Sequence, residues 1–410
     1  DIHDGVKIKQ IKIDDKDIPL ERPNYSGRSS IMTIRLPEVL KSGDSLEAEI
    51  VWEFTVAEIT SVRQGMYGKG NFFIAYWFPK IAVYDDIVGW DTHGHTGRTE
   101  FYNDFGDYTV EITLPADYTV WSGGTLQNPK DVLAEKYYKR YKKARESQEV
   151  VNIITAEDRA ENAKIHKKAD KHTWKFIFEN TPDFSFALSD SYLWDGVNAN
   201  NGLHDVFVQA AYKEESENFH EVCKITKDIV EYFSNELPAI PFPYPQATAF
   251  NGGGGMEFPG MVNDTEVGTR AGTIYLTSHE FGHSYFPFAA GFDEQKLAWM
   301  DEGLISYFPR YTVDEYSHEE APGYLQDLVQ KYAKGAGALN DMPMIYPSEN
   351  TGRYGYRFHA YTRPGVAFYV LEQELGKDVF FKALREFYKR WEGKHPKGFD
   401  LFFTFNEVAG

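Results

Sequence analysis

The residues of this chain whose types and spacing could do chemistry together are His279, Glu280 and His283, in the run Ser278-His279-Glu280-Phe281-Gly282-His283-Ser284. Two imidazoles four positions apart stack on one face of a helix. Neutral imidazole nitrogen is a good zinc ligand, and a pair held one turn apart offers two corners of a tetrahedron at roughly 2.0–2.1 Å from a metal. Glu280 falls one residue round the helix, beside such a metal rather than on it. A third ligand is expected downstream, and Glu302 supplies it in Trp299-Met300-Asp301-Glu302-Gly303-Leu304, 19 residues after His283. Two His and one Glu leave the fourth position for water, the open arrangement of catalytic rather than structural zinc. One zinc ion per chain is the expectation. Zinc lowers the pKa of its water to about 7, so Glu280 need only remove a proton that is nearly free to leave.

Both ligand-bearing runs need rigid elements. Ile274, Tyr275 and Leu276 before the first and Tyr285 and Phe286 after it mark a buried helix. Pro287 is expected to stop that helix, since proline lacks an N–H and its ring clashes with the preceding turn. The second run opens another apolar, aromatic-rich stretch that closes at Pro309. Ahead of both, Gln246 to Phe250 reads as a strand running into Asn251-Gly252-Gly253-Gly254-Gly255-Met256-Glu257-Phe258-Pro259-Gly260. These glycines do not spell a dinucleotide fingerprint and no βαβ context follows, so phosphate binding is discounted. What glycine permits is close backbone approach, here by a peptide lying along an edge strand, with Glu257 where that peptide ends. An unpaired carboxylate between Met256 and Phe258 would be costly if buried, and a cationic amine would relieve it.

The 410 residues exceed one ordinary hydrophobic core, which makes two domains the prior, and 42% hydrophobic with 16% aromatic residues indicates a folded globular chain. Forty-three basic against 62 acidic residues give −19, which disfavours nucleic acid as a partner. Cys223 is the single cysteine, so neither an intrachain disulfide nor a cysteine metal cage is available. No apolar run is long enough to span a membrane. Asp1-Ile2-His3-Asp4 lacks the features of a signal peptide, but a removed signal would leave no trace, so periplasmic, secreted and cytoplasmic locations all stay open.

Along the chain, residues 1 to about 125 alternate apolar and polar in short runs such as Ile31 to Leu36 and Tyr108 to Leu114, the pattern of an antiparallel β-rich domain. The rings of Tyr76-Trp77-Phe78-Pro79 and of Phe101-Tyr102 are read as packing. A charged insert covers about 130–171, read as a solvated or partly helical excursion. Strand signals resume at Thr173 to Phe178 and Phe184 to Leu188. Asn198-Ala199-Asn200-Asn201-Gly202 is the best linker candidate, which divides the chain into 1–195 and 196–410. Helical spacing follows over Glu214 to Leu237, Val366 to Gly376, Val379 to Trp391 and Phe399 to Val408. The chain stops at Gly410 with an apolar helix just finished, and a truncated C-terminus is the expectation.

Taken together, Gly254-Gly255-Met256-Glu257, His279-Glu280-Phe281-Gly282-His283 and Trp299-Met300-Asp301-Glu302-Gly303 resemble, in order and spacing, the aminopeptidase N family of gluzincin metallopeptidases, which includes leukotriene hydrolase. The resemblance implies an α+β fold: a β-rich, saddle- or sandwich-like N-terminal domain, then a thermolysin-like, mainly helical catalytic domain with a small mixed sheet. It implies His279, His283 and Glu302 as zinc ligands, Glu280 as general base, and Glu257 as the carboxylate holding the free α-amine of a peptide substrate. Tyr361, in Tyr361-Thr362-Arg363-Pro364-Gly365, matches the family's oxyanion-stabilising tyrosine. Three positions depart from the pattern. Phe258 replaces the usual Asn after the motif Glu, Asp301 stands where Asn is common, and Pro309 occupies the place of a Glu that often orients a ligand His. The leading reading is a zinc aminopeptidase. Its rivals are a catalytically idle binding module, against which an intact Glu280 argues, and an endopeptidase or epoxide hydrolase, which would not need a free amine.

Overall fold

Alternating strands in the first part of the chain close into small antiparallel sheets. The computed structural model describes residues 5–58, 61–97, 99–317, 323–339 and 341–410. Lys7–Ile13 pairs with Ala48–Glu53 and buries Ile11 and Ile13, which with Ile18 form a small core of their own. Gly106–Pro115 pairs with Lys171–Thr181, in register from Tyr108 against Phe178 to Leu114 against His172. In Lys171–Thr181 the side chains of His172, Trp174, Phe176 and Phe178 are buried while Lys175 and Ile177 are exposed, which is the period-2 signal realised. A third sheet orders Thr119–Ser122, Phe186–Ser189, Asn71–Ile74 and Gln64–Met66.

A six-stranded mixed sheet links these to the helical part. Its order is Val151–Ile154, Leu193–Asn200, Asp205–Tyr212, Gln246–Asn251, Met261–Asp264 and, at the edge, Glu257–Phe258. Gln246–Asn251 runs parallel to both neighbours, and the other pairings are antiparallel. The boundary expected near 196 falls inside Leu193–Asn200, which is paired on both sides, and the expected linker is that strand's end and the turn into Asp205–Tyr212. Polar residues there cap a hairpin: Asn201 Oδ1 accepts the amide N–H groups of Leu203 and His204. The charged insert is partly helical, one of its two readings, and it is packed rather than solvated. Its helix Glu135–Glu146 buries Tyr137, Tyr141 and Ala144, and its strand Val151–Ile154 forms one end of the mixed sheet.

The remainder is mainly helical, so the α+β class with β-rich first part and helical second part is the observed architecture. Val222–Asn235, shorter than the predicted 214–237, packs its buried Ile225, Ile229, Val230 and Phe233 on the mixed sheet. Arg363–Leu375, Lys377–Trp391 and Gly398–Ala409 follow near their predicted positions. One continuous core joins the two parts. Phe73 of the third sheet packs on Phe250 and Phe258 of the mixed sheet, at ring-centroid distances of 5.7 and 5.0 Å. The aromatic run at 76–78 is packing, as read: Tyr76 lies on Phe101 at 4.0 Å, and Trp77 donates its indole N–H to Phe184 O.

Candidate active site

The helix Arg270–Gly282 starts where the Thr269 hydroxyl accepts the Gly272 amide N–H at 3.1 Å. His279 and Glu280 lie in its last turn. It ends at Gly282, not at Pro287 as expected, but His283 keeps helical torsions (φ −61°, ψ −19°) and holds its ring beside that of His279, centroids 4.8 Å apart. A widened helical turn, Ser284–Ala289, absorbs the proline, with Phe286 in an extended conformation ahead of it. Glu294–Ile305, broken at Leu297, brings in Glu302. Its Oε2 stands 3.5 Å from His279 Nε2 and 3.7 Å from His283 Nε2.

These separations fit a zinc ion. Bonds of 2.0–2.1 Å at tetrahedral angles place neighbouring ligand atoms about 3.4 Å apart. His283 Nε2 and Glu302 Oε2 are buried without any hydrogen-bond partner in the protein, which is costly unless a cation lies between them. Both imidazoles have their other nitrogen engaged. His283 Nδ1 is 2.6 Å from Asp301 Oδ1, and His279 Nδ1 is 3.1 Å from Ile305 O. Each Nδ1–H donates outward, which fixes the tautomer and leaves Nε2 as the lone pair facing Glu302. Glu257, His283 and Asp301 also offer ligand atoms within 4.8 Å of one another. Asp301 there already takes the His283 proton, so the first trio is the better fit.

Three groups line the trio. Glu280 presses Oε1 against Gly255 and leaves Oε2 buried without a partner. Burial and the neighbouring charge of Glu257 push its carboxyl well above the ordinary range, with Asp264, Glu302 and Asp301 adding to the effect. Glu257 is buried on the edge strand and is also raised, by burial and by Glu100 and Glu302 against the opposing His283. Crowded carboxyl groups of this kind favour a cationic guest. Tyr361 lies in the widened turn Phe358–Thr362, its ring parallel to His279 within 12° at 6.4 Å, and burial together with the nearby charge of Glu302 pushes its phenol well above the usual range. Gly303 makes this docking possible, because a Cβ there would stand 2.5 Å from Pro364 Cβ.

The predicted residues Glu257, His279, Glu280, His283, Glu302 and Tyr361 thus come together. In the glycine run, the close approach is made within the chain: Val62 packs on Gly254 and Glu280 on Gly255. Met256 turns its sulfur to Arg63 Nη1, 3.1 Å away. Phe258 faces the other side of the sheet edge, against Phe73 and Tyr76. The orienting group missing at Pro309 is supplied by Asp301 for His283 and by a backbone carbonyl for His279. Sequence reasoning missed Glu100 and Arg63, a two-pronged ion pair at 2.5 and 2.6 Å whose charges both bear on Glu257. No spacing rule links residue 100 to residue 257.

The chain thus has a β-rich first part and a helical second part that carries a His-His-Glu trio. No family model matches the sequence. The chain is similar to aminopeptidase 2 of Candida albicans, 21% identical over 262 residues, covering 59% of this chain. It spans only 28% of the length of that relative. Among solved structures it is similar to the M1 zinc metallopeptidase of Deinococcus radiodurans (TM-score 0.61, 12% identity, 99% of this chain and 81% of that one). A form of that protein bound to a Tyr-Ser-Ala substrate gives 0.62 at 12% identity, over 99% and 82%. Legionella pneumophila aminopeptidase A in complex with aspartic acid gives 0.66 at 13% identity, over 99% of this chain and 43% of that one. At such identities the likeness establishes a shared fold.

Proposed function

We propose that this chain is a zinc metallopeptidase of the aminopeptidase N type, which hydrolyses the first peptide bond of peptides with a free N-terminus. The observation that carries the proposal is the triangle of His279 Nε2, His283 Nε2 and Glu302 Oε2, with two of its atoms buried and unpartnered, and the unpaired Glu280 carboxyl beside it. His279, His283 and Glu302 would hold one zinc ion, whose chemistry is to acidify a water and polarise a carbonyl. Glu280, its proton affinity raised by burial and by Glu257, is suited to take a proton from the attacking water and return it to the leaving amine. The Tyr361 phenol reaches the same centre and can donate to the oxygen that becomes negative. Glu257, with Glu100 nearby, is the anionic place for an α-ammonium group. Proteins of the same fold take a tripeptide and a free amino acid as ligands, which supports a peptide end as the guest.

The experiment is metal analysis paired with an assay of aminoacyl-nitroanilides and their N-acetylated counterparts. One zinc per chain, lost in His279→Ala, and turnover confined to free-amine substrates are expected. Equal turnover of blocked substrates would replace the exopeptidase reading with an endopeptidase one, and absence of zinc would remove the metallopeptidase.

A further inference from the structure

The ligand helix carries more than its histidine on the face it leaves open. In Arg270–Gly282 the side chains of Ile274, Thr277, Ser278 and Phe281 are buried, whereas Tyr275, Leu276 and His279 stay half-open. The Tyr275 ring stands one turn before His279 and within 24° of its plane, centroids 6.1 Å apart. Tyr324 stacks on Tyr275 in turn, at 4.3 Å and 12°. Tyr324 opens the helix Tyr324–Gly335, which buries none of its residues. Near the other end of that helix Tyr332 stacks on Phe358, within 6° at 5.9 Å, in the turn that carries Tyr361. The helix therefore bridges the ligand helix and the Tyr361 turn, and it is fixed at both by parallel rings.

The ring pair and Glu257 lie at opposite ends of the site. Glu257 offers a carboxylate oxygen within 4.8 Å of ligand atoms of His283 and Asp301. His283 follows Tyr275 by eight residues, which is about 12 Å of helix axis, with His279 between them. An extended peptide advances roughly 3.3–3.6 Å per residue. With its amine at Glu257 and its first carbonyl at the trio, such a peptide carries its second residue past His279 toward Tyr275. We propose that Tyr275 and Tyr324 are specificity-determining residues: their stacked rings form the wall on which the side chain of the substrate's second residue packs, and they favour a large apolar or aromatic one there. A stacked pair left half-open holds apolar surface that such a side chain would remove from water, and a flat ring can pack on it face or edge first. The inference rests on the aminopeptidase reading, which fixes the direction of the peptide.

The test compares kcat/KM for Leu-Ala-amide, Leu-Phe-amide and N-acetyl-Leu-Phe-amide in the unaltered chain and in Tyr324→Ala, Tyr324→Phe and Tyr275→Ala, with zinc content measured alongside. The unaltered chain is expected to prefer Leu-Phe-amide over Leu-Ala-amide on the order of 10-fold or more. Tyr324→Ala should bring that ratio close to one, chiefly by raising KM for Leu-Phe-amide, while its zinc content holds. Tyr324→Phe keeps the ring and should keep the ratio. Tyr275→Ala removes the other half of the wall and should lose the ratio as well, which gives a second reading should Tyr324→Ala not fold. No preference in the unaltered chain, equal losses on both free-amine substrates in the alanine variants, or a ratio lost in Tyr324→Phe would overturn the wall. Equal turnover of N-acetyl-Leu-Phe-amide would overturn the exopeptidase reading instead, and the ratio between the two free-amine substrates would still measure the wall.

Discussion

Gly255 approaches Glu280 so closely that a Cβ on it would stand 2.5 Å from Glu280 Oε1 and 2.7 Å from Leu276 Cδ1. Both of those atoms are ends of flexible side chains, so an added methyl group can be accommodated by moving them. Gly255→Ala is therefore expected to fold with less than about 1 kcal/mol of lost stability, as overpacking at its mildest. The displaced carboxylate is the proposed general base, and a misplacement of about 1 Å can cost on the order of 10²-fold in rate. Zinc content and the denaturation midpoint should hold while kcat falls by one to two orders of magnitude. Unchanged kcat would show that Glu280 need not stand where Gly255 lets it.

The ligand trio was legible because its information is local: His279 and His283 are one turn apart and Glu302 lies in an adjacent helix, so residue type and spacing suffice. Glu257 was legible from its place at the end of a glycine-rich strand, whereas Tyr361 needed the resemblance, since one of 27 tyrosines carries little signal alone. What escaped was long-range or made by the backbone. Arg63 and Glu100 reach Glu257 across the chain, and the partner of His279 Nδ1 is a carbonyl, which no side-chain type announces. The strand Leu193–Asn200 was misjudged at its end because asparagines and a glycine mark a hairpin and a linker alike.

Asp85 joins the N-terminal sheets to the last helix. Its Oδ2 accepts from Lys397 Nζ at 2.5 Å and from the Tyr102 hydroxyl at 2.9 Å, and its Oδ1 accepts the Ile87 amide at 2.8 Å. Burial works against its charge, but these hydrogen bonds outweigh that and hold the carboxyl well below the usual range. A depressed carboxyl contributes stability that is present in full above its unfolded pKa, about 3.9, and is lost as pH falls below it toward the folded value. Asp85→Asn should thus be less stable at pH 7 by about 1.5–3 kcal/mol, the worth of hydrogen bonds to a charged group. Its deficit should shrink as pH is lowered from about 5 to 3. Denaturant midpoints measured across that window check this, and parallel curves for the two proteins would mean that the Asp85 charge does not hold the two parts together.

Glu257 tests the reading that makes this an exopeptidase. The carboxyl is buried on the edge strand, beside the metal trio, and raised by its own burial and by Glu100 and Glu302. Among the described side chains no lysine or arginine forms an ion pair with it, and Arg63, whose charge reaches it, is already engaged by Glu100. An α-ammonium group would supply the missing charge through a hydrogen bond worth roughly 1.5–3 kcal/mol. Glu257→Gln keeps the shape and some hydrogen bonding, whereas Glu257→Ala removes both, so the pair separates charge from geometry. For free-amine substrates, kcat/KM should fall by about 10–10²-fold in Glu257→Gln and further in Glu257→Ala. N-acetylated substrates, which have no charge to anchor, should lose little in either variant. Equal losses on free and blocked substrates would show that Glu257 only supports the strand. The anchoring role would then pass to Glu100, the other carboxylate whose charge reaches this position.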